Sequence, residues 1–155
     1  MTIHIRTFLP ADQDFVLSLV SRFTSFDLPP WRTREEIDSF NHAALQKAMT
    51  EPEAETALLV AEDETEGLAG FIYLTTEKDY FTGEKQGYIS DIAVAAGFEG
   101  RGLARLLLDA ADEWARSKGY GAIFLNVFAG NQRARRLYEK NGFAEEVVKY
   151  VKPVQ

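Results

Sequence analysis

The chain has 155 residues, 46% of them apolar and 26% charged, and no cysteine. That length fits one domain over 1–155 with a real hydrophobic core, the composition excludes a disordered chain, and the lack of cysteine excludes a disulfide framework, a thiolate metal site and a cysteine acyl-enzyme. A net charge of −7 without a basic, aromatic-interleaved stripe argues against nucleic acid; with no run near the roughly 18 apolar residues of a membrane span and no apolar signal region, the expectation is a soluble cytoplasmic protein.

Ile3 to Phe8 alternates and reads as a first strand, punctuated by Pro10 and Asp12. Phe15, Val16, Leu19, Val20 and Phe23 give one face of a helix. Pro29 and Pro30 stiffen the following Asp27–Trp31 stretch and preclude a helix there. Thr33 and Glu36 predict a capping box for a second helix with Ile37, Phe40, Ala44, Leu45 and Ala48 on its apolar face. Strands are expected over 57–61 and 68–75, then an exposed connection from Lys78 to Gly87. Tyr88 to Val94 is rich in β-branched and aromatic residues, as a half-buried strand requires.

After Gly97, Gly100 and Gly102 the apolar period changes: Leu103, Leu107, Ala111 and Trp114 fall on one helical face. Gly119 and Gly121 mark the end of that helix. Ile123 to Phe128 reads as a strand buried on both faces. Gly130 and Asn131 open a further helix, Asn141-Gly142 stops it, and Phe143 to Val151 reads as a final strand. The order predicts an α/β domain: a mixed sheet with helices on both faces.

The glycine-rich turn after the central strand is an anion site in the making, because free N–H groups and the positive helix end suit a phosphate or pyrophosphate. A P-loop lacks its lysine and hydroxyl here, since Leu103 and Ala104 follow Gly102. A dinucleotide fingerprint lacks its third glycine, replaced by Arg105, and its acidic ribose ligand, replaced by Asn126. The segment Glu99-Gly100-Arg101-Gly102-Leu103-Ala104 resembles the coenzyme A pyrophosphate turn of GNAT-type N-acetyltransferases, Gln/Arg-x-x-Gly-x-Gly/Ala, with Glu99 at the place of the usual glutamine or arginine.

A second signature follows. Asn131, Ala134, Leu137, Tyr138, Gly142 and Phe143 resemble the pattern Asn-x-x-Ala-x-x-Leu-Tyr-x-x-x-Gly-Phe of the same family. Independently of the family, Asn131 and Tyr138 lie seven residues apart, within roughly 20° of each other on a helix, with the small Ala134 between them. A ligand can lie along that face and meet both polar ends.

The resemblance implies a mixed, mostly antiparallel central sheet with a splayed pair of central strands. It also implies acetyl-CoA as co-substrate, no metal, and direct transfer of the acetyl group to an amine. The backbone of Ile92 and Val94 then bonds the pantetheine arm like an added strand. Glu99, Gly100, Arg101, Gly102, Leu103 and Ala104 form the pyrophosphate turn. Asn131 bonds the pantetheine arm, and Asn126 faces the cofactor cleft or is a satisfied strand residue. Tyr138 protonates the leaving thiolate. A homodimer is common among such proteins.

The general base is the least legible element. Tyr88, Ser90 and Asn126 occupy the places where relatives often carry glutamate, so Tyr88 and Ser90 read as acceptor-side residues. Asp91 is the one carboxylate within the strand, but alternation turns it to the opposite face from Ser90. A water chain without a dedicated residue is the leading reading, with Asp91 the side-chain alternative and His4 and His42 read as surface residues. The same absence, with the odd Glu99, keeps open a catalytically silent acyl-CoA-binding sensor, against which the intact Tyr138 argues. Charge placement suggests the acceptor. Residues 1–87 hold 16 acidic and 7 basic side chains, residues 88–155 hold 8 and 10. The basic half, with Arg101, Arg105, Arg133, Arg135 and Arg136, suits coenzyme A. The acidic half suits a cationic amine, with Trp31 a wall for its apolar part.

Overall fold

The computed structural model describes all 155 residues. Its elements are β1 (Ile3–Thr7), α1 (Gln13–Ser18), α2 (Arg34–Thr50), β2 (Ala57–Asp63), β3 (Gly67–Lys78), β4 (Lys85–Val94), α3 (Leu103–Ser117), β5 (Ile123–Leu125) and α4 (Gln132–Lys140), with short 3-10 turns at Pro10–Asp12, Val20–Thr24 and Ala96–Phe98. The strands form one sheet in sequence order. β1 to β4 pair antiparallel, and β5 joins β4 parallel at the edge.

Two apolar clusters sandwich the sheet. On one face, Leu103, Leu107, Leu108 and Ala111 of α3 pack on Ile72 and Leu74 of β3 and Ile89 of β4, with Leu137 and Tyr138 of α4 alongside. On the other, Val16, Leu19 and Val20 from α1 and the turn after it join Leu45 of α2, Val60, Phe71 and Ala93. Alternation assigns the side chains of β2, β3 and β4 to their faces, interrupted where a strand carries one residue more than its partner, at Ala69 of β3 and Ser90 of β4. The mostly antiparallel sheet with helices on both faces is therefore the expected architecture.

Local chemistry sets α2 as expected. Glu36 N–H donates to Thr33 Oγ1 at 3.2 Å, and Thr33 N–H donates to Glu36 Oε1 at 3.0 Å. Its expected apolar face is only partly used: Leu45 is buried, but Ala44 is exposed and Phe40 is 73% exposed. Leu45 is the one fully buried residue of the helix, and α1 ends at Ser18, giving way to the 3-10 turn instead of running on to Phe23.

Three further boundaries differ from expectation. β3 and β4 extend toward each other until only Asp79–Glu84 joins them, a turn held by Thr82 Oγ1 donating to Asp79 Oδ2 at 2.7 Å. β5 stops at Leu125, so Asn126 to Phe128 lie beyond the strand; β5 is half-buried at the sheet edge instead of enclosed on both faces. Phe143 to Val151 forms no strand. Its apolar residues come in neighbouring pairs, Val147-Val148 and Tyr150-Val151, which alternation divides between opposite faces, and all four are exposed.

Candidate active site

β4 runs from Lys85 to Val94, but β5 pairs with it only from Gly87 to Ile89. Beyond Ile89 the two strands part. Ala95 N–H donates to Ala69 O on the β3 side at 2.8 Å. Alternation then turns the main-chain groups of Val94 and Ile92 to the other edge, where β5 has ended. An extended ligand can bond there without displacing a strand.

β4 also carries one residue more than its partner. Ile92 stands opposite Ile72 and Asp91 opposite Tyr73, yet the next partner of Leu74 is Ile89. Ser90 is the extra residue of a β-bulge. Ile89 and Ile92 belong to the α3 face, Ala93 and Tyr73 to the α1–α2 face. Directly opposed residues share a face, so Asp91 stands with Tyr73 on the α1–α2 face, and Tyr88 stands there too. The bulge reverses the alternation that would have set Asp91 beside Ile89.

The electrostatics reflect that grouping. Burial pushes the Asp91 carboxyl up to about 6, although the Ser90 hydroxyl, donating to Asp91 Oδ2 at 2.8 Å, favours its anion. Burial raises the Tyr88 phenol, opposed by Asn126 Nδ2 donating to its hydroxyl at 3.3 Å, and the Asp91 charge raises it further. Tyr73 is raised by burial, and the charges of Glu53 and Asp91 add to it. Asn126 is thus committed to Tyr88. Phe124 packs on the Tyr88 ring with centroids 4.7 Å apart.

Downstream of β4, Glu99 is extended and Gly100 and Gly102 take φ of +75° and +79°. These left-handed positions favour glycine. A Cβ at either would meet nothing within 4 Å, so the turn opens outward. Gly102 caps α3 without a side-chain acceptor, and Leu106 N–H is bonded to Gly102 O. The N–H groups of Leu103, Ala104 and Arg105 precede the helical ladder and are free for an anion. Arg101 points elsewhere: Nη1 donates to Glu66 at 2.6 Å and its guanidinium covers Phe98 at 5.1 Å.

α4 begins at Asn131, whose Oδ1 accepts from Ala134 N–H at 3.2 Å. Tyr138 sits two turns on, its ring edge-to-face with Phe143 at 5.9 Å. Burial alone raises its phenol. Tyr138 belongs to the α3–α4 side of the sheet and Asp91 to the α1–α2 side, so the parted strands lie between a phenol and a carboxylate.

The Ser25–Trp31 stretch reaches the same region through residues that sequence reasoning passed over. Phe26 packs on Phe128 with centroids 5.7 Å apart, and a Cβ on Gly130 would meet Asp27 O at 2.5 Å. Trp31 itself is 42% exposed. Tyr73 was also missed, because only the strand register reveals it. Two other hollows, of about 490 and 590 Å³, lie off this line, one lined by Leu17, Asp38 and His42 and one by Ile3, Leu106 and Trp114. No group of three or more His, Cys, Asp or Glu side chains is placed to hold a metal ion. No helix is long and apolar enough to cross a membrane.

A sequence model described as the acetyltransferase (GNAT) family matches residues 17–143. The chain belongs to this family. A GNAT relative, the mycothiol acetyltransferase of Propionibacterium freudenreichii, is 32% identical over 156 aligned positions that cover 88% of this chain and 47% of that protein. An uncharacterized N-acetyltransferase of Bacillus subtilis, YycN, is 36% identical over 78 residues, 50% of this chain and 49% of that protein. The chain therefore spans about half the length of the curated relatives it matches. Among solved structures, a putative acetyl transferase from Pyrococcus furiosus superimposes with a TM-score of 0.75 at 25% identity, covering 99% of this chain and 100% of that one. GNAT proteins take acetyl-CoA as co-substrate. The outward-opening glycine turn and the parted strands fit its two parts, diphosphate and pantetheine arm.

Proposed function

We propose that this chain transfers the acetyl group of acetyl-CoA directly to the primary amine of a cationic acceptor. The observation that carries the reading is the pair formed across the parted strands: Tyr138 on one side of the sheet and Asp91, swung by the Ser90 bulge, on the other. Gly100, Gly102, Leu103 and Ala104 hold the diphosphate by main-chain N–H groups. Ile92 and Val94 bond the pantetheine amides, and Asn131 adds a polar contact at the head of α4. The neutral amine attacks the thioester carbonyl, forming the N–C bond as the C–S bond breaks. Asp91 takes the amine proton, directly or through water, and Tyr138 gives its proton to the departing sulfur. A buried phenol with a raised pKa stays protonated at neutral pH and serves as the acid. The silent-sensor reading rests on the missing glutamate and on Glu99; Tyr138 and a carboxylate at Asp91 on the α1–α2 face favour the enzyme over it.

The glycine turn gives a first expected result. Gly102→Ala places a methyl group in the space the diphosphate needs. It meets no protein atom there, so the fold loses only the left-handed backbone penalty, about 1–2 kcal/mol. Calorimetry should show acetyl-CoA affinity reduced at least tenfold in a folded variant; unchanged affinity would refute the site.

The acceptor gives a second. The acidic residues 1–87 supply α1, α2 and the loops over the Asp91 face. Thiol release measured across an amine panel should favour polyamines, aminoglycoside-like amines or basic peptide amines. The kcat/KM of the best acceptor should fall with salt, as for a steered cation. An anionic best acceptor, or a cationic one indifferent to salt, would defeat the charge argument, while no turnover with any amine would favour the sensor.

A further inference from the structure

Glu99, the odd residue of the glycine turn, is bridged by two arginines from different parts of the chain. Its Oε1 pairs with Arg22, in the 3-10 turn after α1, and its Oε2 with Arg133, in the first turn of α4 at 3.4 Å. Arg22 and Glu99 are each about one-third exposed, whereas the Arg133 side chain is 74% exposed. Glu99 immediately precedes Gly100, so its carboxylate stands at the rim of the main-chain anion site. A fixed negative charge there repels a diphosphate. Two guanidiniums gathered on that carboxylate are, in the same place, what a diphosphate attracts, because planar donors bond phosphate oxygens as readily as carboxylate oxygens.

We infer that Glu99 is a resident counter-ion that holds Arg22 and Arg133 over the empty turn and yields them to the diphosphate of coenzyme A. The carboxylate neutralises the two cations while the turn is empty and competes with the diphosphate for them. The incoming diphosphate, with more charge and more acceptor oxygens, takes them over, and Glu99 turns out to water. Arg22 belongs to the segment joining α1 to α2, which packs on the Asp91 face through Val20. Its transfer to the diphosphate ties the acceptor-side segment to the nucleotide, so that the acceptor face is ordered once coenzyme A is in place. The inference rests on the reading of the glycine turn as the diphosphate site.

Binding of coenzyme A and of 3′-dephospho-coenzyme A to the full chain, followed by calorimetry at two salt concentrations, tests it. Glu99→Gln keeps the shape and removes the repelling charge; it should tighten both ligands about three- to tenfold. Arg22→Ala should weaken both by about tenfold, Arg22→Lys by less, and Arg22→Ala should also flatten the salt dependence. The Arg22→Ala loss should persist in the Glu99→Gln background, since the arginine acts on the ligand itself. Weaker binding by Glu99→Gln, or an Arg22→Ala loss that disappears in that background, would overturn the exchange and leave Glu99 as a structural brace. A gain seen with coenzyme A but absent with the dephospho compound would overturn the diphosphate assignment. Failure of the unaltered protein to bind coenzyme A would instead overturn the glycine-turn reading, and the exchange with it.

Discussion

Asp91→Asn should lower kcat/KM at pH 8 by about 10²-fold or more, the usual scale of acid–base catalysis, while making the protein more stable. Both halves follow from one environment. Burial holds the Asp91 carboxyl at about 6, well above the ordinary aspartate value of 3.8. Its anion is therefore a better base than an exposed aspartate, and it is ionised at working pH. For stability the sign runs opposite to that of an ion-paired carboxylate. The folded protein holds the proton more tightly than the unfolded chain, so the favourable contribution is complete below pH 3.8 and is lost as pH rises through about 6. At neutral pH the folded state bears the cost of a half-buried anion, about 1–3 kcal/mol. Asparagine has no charge to bury and keeps an oxygen for the Ser90 hydroxyl. The kcat/KM profile of the unaltered enzyme should rise with pH through a midpoint near 6, below the range of an aliphatic amine acceptor, and that limb should vanish in Asp91→Asn. A variant that keeps the limb and the rate would return the proton to a water chain without a dedicated residue.

Tyr138→Phe isolates the other end of the reaction. The ring keeps its edge-to-face contact with Phe143 and its place beside the α3 cluster, so the melting temperature should not move. Only the hydroxyl is lost. We expect kcat to fall about 10²-fold with acetyl-CoA affinity within a factor of two, since the proton is given in the transition state and the ground-state complex does without it. The phenol is raised above its usual value, so the unaltered enzyme should hold its rate into strongly basic solution. A kcat within twofold of the unaltered enzyme would mean that the thiolate departs without this acid.

What could be read from the sequence was what depends on near neighbours. The Thr33–Glu36 capping box, the glycine turn into α3 and the opening of α4 at Asn131 are each set within a few residues, and each forms where spacing predicts. What could not be read depends on partners distant in the chain. The length of β5 depends on how far β4 stays beside it, so the apolar run to Phe128 overstated it. The C-terminal segment has strand-forming residues but no alternation, so it stays unpaired although the outer edge of β5 is open. Glu99 looked like a defect in a motif until Arg22, from the far end of the chain, was seen beside it. Asp91 was assigned by alternation, a rule that fails wherever one strand is longer than its partner.

That last failure makes one position behave unlike its neighbours under sequence change. Ser90 matters first as a place-holder: any residue there preserves the count of β4 against β3, and so preserves the face on which Asp91 stands. A one-codon insertion opposite it, between Tyr73 and Leu74 of β3, would restore regular pairing and carry the carboxylate round to the apolar cluster of Ile89, Leu107 and Ala111, without altering any other amino acid. In a lineage of this protein, substitutions at position 90 would keep the carboxylate on its face, while a residue inserted opposite it in β3 would silence the chemistry. The distinction is invisible to any score that weighs residue identity alone.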